Sequence, residues 1–129
     1  MAHPNEDLLR RGYDAFGTGD METLAALLAD DIVWHFPGNN PLAGDYKGRN
    51  EVLAFFVKSV EMTGGTLKIE LHDVLANDEH GVGLIRVTGQ RDGKSLTDNA
   101  AQVFHVRDGK ASEVWSHAGD QAAIDKFWS

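Results

Sequence analysis

The 129-residue chain contains no cysteine. No disulfide framework, zinc–thiolate site or thiol nucleophile can be built from it. Positive charge is scarce: 12 Lys and Arg stand against 20 Asp and Glu, a net charge of −8. No run of five basic residues occurs, which argues against nucleic acid and anionic membrane surfaces as partners. No apolar run approaches the roughly 18 residues of a membrane span. The segment MAHPNEDLLRR lacks the apolar core of a signal peptide. A cytoplasmic location is the expectation on that ground.

What is present is ordinary for a globular chain, 42% hydrophobic and 25% charged. One domain over residues 1–129 is expected, burying roughly two-thirds of its unfolded surface.

The first half reads as helical. Asn5 is a candidate cap for a helix over 5–17, with Leu9, Tyr13 and Phe16 on one face and Gly17 and Gly19 at its end. Asp20 caps METLAALLA, with Leu24, Leu27 and Leu28 as its apolar stripe. Ile32 to Phe36 reads as a strand. A loop with Pro37, Gly38, Pro41 and Gly44 follows, shaped as a rigid flap that Leu42 and Tyr46 would close over a ligand. Asn50 is the expected cap of a third helix, Glu51 to Met62, stopped by Gly64-Gly65.

The second half alternates with period two. Strands are expected over 66–76, 82–90, 95–106 and 110–118. The apolar parity slips from Leu67, Ile69 and Leu71 to Val74 and Ala76, which predicts a bulge near His72-Asp73. Arg-Asp-Gly-Lys occurs at 91–94 and again at 107–110, a strong hairpin signal each time. Asp120 caps a last short helix, QAAIDKFW. The order predicts α+β: a curved, cone-shaped antiparallel or mixed sheet, covered on its concave side by three helices from the N-terminal half, plus the short C-terminal helix. Pockets form in the mouths of such sheets.

Three stretches carry a resemblance: TGDMETLAALLADDIVWHFPG, PLAGDYKGRNEVLAFF and VFHVRDGKASEVW. Together they resemble the nuclear-transport-factor-2-like superfamily and, within it, the SnoaL-like group of polyketide cyclase and ketosteroid isomerase relatives. The resemblance covers nearly the whole chain and implies the cone fold. It says little about activity, because the fold hosts isomerases, dehydratases, cyclases, epoxide hydrolases and pure binding modules. Compared with ketosteroid isomerase on the paired aspartates Asp30-Asp31, His35 falls at the general-base position. Tyr13 and Gln102 fall within one residue of its two oxygen-binding groups. The isomerase has aspartates at two of these three places, so the chain departs from it. The Asp-Arg-Asp set of limonene epoxide hydrolase has no convincing match.

Each candidate has a plain reading beside its functional one. His35 shares a strand face with Val33 and would be a neutral base if that face looks into the cone; otherwise it is a histidine hydrogen-bonded at a strand end. Tyr13 is an oxyanion-type donor or a core tyrosine. Gln102, on a face with Phe104 and Val106, orients a ligand or pairs with a neighbouring strand. Asp98 and Asn99 are an acid or base at the mouth, or solvated strand-end polarity. Trp115 and His117 share a face that lines the pocket or meets a partner subunit. Phe16, Val33, Leu42, Tyr46, Phe56 and Phe104 complete the expected pocket wall. The histidine spacings match no metal signature, and no phosphate-loop or dinucleotide motif is present, so neither metal nor cofactor is expected.

The resulting expectation is a cofactor-independent isomerase, cyclase or dehydratase. It would move a proton by His35 on a small apolar carbonyl or polyketide-like molecule. The rival is a non-catalytic ligand-binding or dimerisation module of the same fold. A homodimer is expected by analogy under either.

Overall fold

The computed structural model describes residues 3–129. Helix α1 spans Pro4–Thr18, with Pro4 in the first turn, where its missing N–H costs nothing. His3, not Asn5, is its cap: the His3 ring accepts from the Asn5 N–H. Asn5 turns away and donates to the carbonyls of Asn77 and Asp78, tying the helix start to a distant turn. Gly17 stays helical, and Gly19, at φ 72°, ends the helix.

Helix α2 is shorter than its apolar stripe suggests. It stops at Met21–Leu27, because Leu28 is already extended and pairs with Ala111. Strand β1 therefore runs Leu28–Phe36, and Asp30-Asp31 lies inside it, at a register shift between Leu28 and Val33. Both carboxylates face water and pair with Arg49 and Arg107. The Pro/Gly loop returns through β2, Gly44–Lys47, a four-residue strand that composition hides. Helix α3, Arg49–Met62, starts two residues earlier than an Asn50 cap implies; Gly48 is the cap residue, and Glu51 accepts the Lys47 N–H.

Strands β3 (Lys68–Ala76), β4 (His80–Arg91), β5 (Lys94–Arg107) and β6 (Lys110–His117) form the long meander. The bulge falls between Leu71 and Asp73, where the parity slips. Both hairpins turn on Asp-Gly pairs with positive φ, Asp92-Gly93 and Asp108-Gly109, as a two-residue primed turn requires. Helix α4, Gln121–Trp128, closes the chain, with Asp120 accepting the Ala123 N–H. The sheet order is β2-β1-β6-β5-β4-β3, with only β1 and β6 parallel among neighbouring strands. The result is an open, mixed, six-stranded sheet with four helices, α+β as expected. No helix among the described residues is long and apolar enough to cross a membrane.

All four helices pack on one face of the sheet, where the core lies. Leu9, Leu24, Trp34, Phe55, Phe56, Phe104, Ile124, Phe127 and Trp128 belong to a single buried cluster. The opposite face is uncovered.

Candidate functional site

A cavity of about 150 Å³ lies between the helices and the inner face of the sheet. A cavity of that size, lined by aliphatic and aromatic side chains, holds a benzene-sized guest. Its walls are mainly apolar. Leu8, Leu9 and Phe16 come from α1, Phe55 and Phe56 from α3, Ile85 and Val87 from β4, and Ile124 and Trp128 from α4.

Few polar groups enter it. Tyr13, on the inward side of α1, donates its hydroxyl to Gln102 Oε1 at 2.7 Å. Gln102 Nε2 points on to Ser116 Oγ at 3.4 Å, so a chain of three polar side chains crosses from helix to β5 to β6. Burial pushes the Tyr13 hydroxyl well above the usual tyrosine range, so it stays protonated and acts as a donor. The position depends on Gly83: any Cβ there would run into the Tyr13 ring and hydroxyl. Glycine in β4 opens the slot that this tyrosine fills.

Trp34, which the sequence offers only as a subunit-contact candidate, is a polar contributor to the cavity. It lines the cavity, is 6% exposed, and packs edge-on against Phe56 and Phe104. Its Nε1–H is buried without a hydrogen-bond partner among the described residues. An orphan buried donor costs roughly 1–3 kcal/mol until something accepts from it. No pattern in the sequence marks it; only the packing shows that its N–H is left without a partner.

Asp98 is the carboxylate in the wall. It is 6% exposed and accepts two backbone N–H groups, from Gly119 to Oδ2 and from Asp120 to Oδ1, each at 3.0 Å. A Cβ on Gly119 would collide with the Asn99 carbonyl and crowd Asp98, so only glycine lets the corner approach so closely. His117, exposed at the end of β6, is the other titratable side chain at the cavity besides Asp98 and Tyr13. No lysine or arginine contributes to the lining.

The expected pocket residues divide. Tyr13, Phe16, Leu42, Phe56, Gln102, Phe104 and His117 line the cavity. Val33, His35, Tyr46 and Trp115 do not. Tyr46 stacks on Phe55 from behind and donates to the Leu42 carbonyl. The expectation that His35 shares the cavity with Tyr13 and Gln102 is corrected by the geometry. Strand β1 turns Trp34 and Phe36 inward, so His35 and Val33 face the uncovered side. Burying two large aromatic side chains outweighs burying one polar ring.

On that outer face His35 is held between two carboxylates. Nδ1 lies 2.7 Å from Asp45 and Nε2 lies 2.7 Å from Glu113. Both nitrogens donate at once only in the imidazolium form. The pKa is accordingly raised, first by the Glu113 hydrogen bond and then by Asp45, with burial opposing. The ring stacks on Trp115, which meets His105, which meets His80, a row crossing four strands. No group of three or more His, Asp or Glu among the described residues is arranged to hold a metal ion.

Comparison with known proteins agrees with this architecture. Residues 9–114 match the SnoaL-like domain family. An uncharacterized protein of Mycobacterium tuberculosis is 32% identical over 95% of each chain. The structure of Bal32a, from a soil-derived mobile gene cassette, is 39% identical with a TM-score of 0.95, covering 98% of this chain and 97% of that one. A protein of unknown function with a cystatin-like fold from Xanthomonas campestris is 30% identical with a TM-score of 0.90, covering 95% of this chain and 96% of its own.

Proposed function

This chain belongs to the SnoaL-like family, and on that premise we propose that it binds a small, mainly apolar, oxygen-bearing molecule in the cavity. One observation carries the reading: the Trp34 Nε1–H, in the mainly apolar wall, has no acceptor among the described residues. A ligand carbonyl or ether oxygen accepts from it and removes the cost of the orphan donor. The Tyr13–Gln102–Ser116 chain supports the same reading, offering a second donor set on the neighbouring wall. Such a pattern, apolar walls with a few placed polar groups, is that of a small-molecule site.

The test is a titration with acetophenone, followed by the indole N–H resonance of Trp34, assigned through Trp34→Phe. Saturable binding with a shift of that resonance supports the proposal. Ala100→Phe, which fills the cavity from β5, is expected to abolish binding; retained binding in that variant places the ligand elsewhere.

A second reading, turnover by proton transfer, is favoured by the presence of Asp98 and His117 at the cavity. Isomerisation, aldol-type cyclisation or dehydration would then use these groups rather than His35. Each Asp98 oxygen keeps a lone pair beyond its backbone N–H bond and has room to accept a proton. Asp98→Asn that retains full turnover removes this role.

The uncovered sheet face, with Val82, Val103 and Trp115 in a cross-strand row, fits the contact of a homodimer. Sedimentation at micromolar concentration, read for dimer against monomer, decides it.

A further inference from the structure

We propose that the cavity selects uncharged ligands and rejects carboxylates, and that Asp98 is the residue responsible. The proposal rests on the ligand-binding reading above and adds the charge class of the ligand.

Three observations combine. First, no lysine or arginine lines the cavity, so no fixed cation is available to neutralise an anionic guest. A desolvated anion without a partner is expensive to bury. Second, the backbone donors at the corner where α4 begins are already taken. The start of a helix is where a protein ordinarily holds an anion. Here the N–H groups of Gly119 and Asp120 point at the Asp98 carboxylate, and the Ala123 N–H points at the Asp120 side chain. The protein's own carboxylates occupy that place. Third, Asp98 is 6% exposed and belongs to the wall, so its charge acts across apolar space rather than through water.

The other polar groups in the wall are neutral ones. The unpaired Trp34 Nε1–H, the second Gln102 Nε2–H beyond its bond to Ser116, and the Ser116 hydroxyl proton suit a carbonyl, ether or hydroxyl oxygen. Tyr13 is kept protonated by burial, and its proton is committed to Gln102. None of these supplies the full positive charge that a carboxylate needs. Asp98 is therefore a specificity residue, and its clamp on the β6–α4 corner keeps its charge in place.

The experiment compares four probes of one skeleton on the intact protein at pH 8: acetophenone, ethylbenzene, benzoate and 1-phenylethylammonium. Acetophenone is expected to bind at least tenfold tighter than benzoate. The ammonium is expected to bind tighter than benzoate, because both ions lose their hydration but only the anion meets a like charge. In Asp98→Asn, benzoate affinity is expected to rise at least tenfold while that of ethylbenzene stays within about twofold. The wild-type ordering of the two ions stands as a test even where Asp98→Asn does not fold. Equal affinities for acetophenone and benzoate, or for the two ions, overturn the charge selectivity and leave the cavity as a ligand site. Failure of all four probes to bind overturns the ligand-binding reading and this inference with it.

Discussion

Trp34 and His35 are adjacent in the chain and stand on opposite faces of β1, one with an unpaired N–H in the cavity wall, the other bound by two carboxylates on the outside. That relationship separates the polar groups of the cavity wall from the most conspicuous titratable group in the sequence. It also gives His35 a different job: joining β2 and β6 to β1 through Asp45 and Glu113.

The His35 cluster predicts a pH-dependent stability term. Its folded pKa is raised, mainly by the Glu113 hydrogen bond. Such a group contributes fully below the unfolded value of about 6.5 and loses its contribution as pH rises through the higher folded value. His35→Ala is expected to cost about 1 kcal/mol or less, since the side chain is 26% exposed. Thermal melts of both proteins from pH 5.5 to 9 check it: the gap should be widest at the acid end and close as pH rises above 6.5. Acetophenone affinity should stay within about twofold throughout.

Gly83 and Tyr13 predict a coupled pair. Gly83→Ala puts a methyl group into the Tyr13 ring and is expected to cost roughly 1–3 kcal/mol by overpacking. Tyr13→Ala empties the slot. In urea unfolding, the double variant should be more stable than the sum of the two single losses predicts by about 1 kcal/mol or more. Strict additivity would mean that the strand shifts to accommodate the methyl group.

Tyr13→Phe keeps the ring and removes the donor to Gln102 Oε1. Leaving that oxygen unpaired is expected to cost about 1–2 kcal/mol of stability. Acetophenone binding should weaken by roughly tenfold because Gln102 is no longer oriented. Ethylbenzene, which has no oxygen, should be unaffected, so the pair of probes separates a lost hydrogen bond from a disturbed cavity.

Asp125 predicts local rather than global change. Its Oδ1 accepts from the Asn39 N–H at 2.9 Å, the Asn40 amide at 2.8 Å and the Gln121 amide at 3.0 Å, joining α4 to the Pro/Gly loop. These bonds, Asn40's first, hold its carboxyl below the usual aspartate range. Asp125→Ala is expected to speed amide exchange at Asn39 at least tenfold while β4 and β5 amides keep their protection. The seam should loosen in the wild type too as pH falls through the lowered pKa.

Much of this fold is legible in the sequence. The two Arg-Asp-Gly-Lys turns, the parity slip at His72-Asp73, and the Asp20 and Asp120 caps are each fixed by interactions within a few residues. The missing cysteine and scarce basic residues bound the chemistry without any coordinates. Strand β2 and the early end of α2 are different. Gly44–Lys47 becomes a strand because β1 lies beside it, and Leu28 leaves the helix because Ala111 is there to pair with it. The tertiary structure likewise chose which face of β1 looks inward. Alternation divides Val33 and His35 from Trp34 and Phe36, but it assigns neither set to the core. The helices decide that, since they cover only one side and two aromatic rings gain more from being covered than one imidazole does. From that choice follow the unpaired Trp34 donor and the outward-facing His35 bridge.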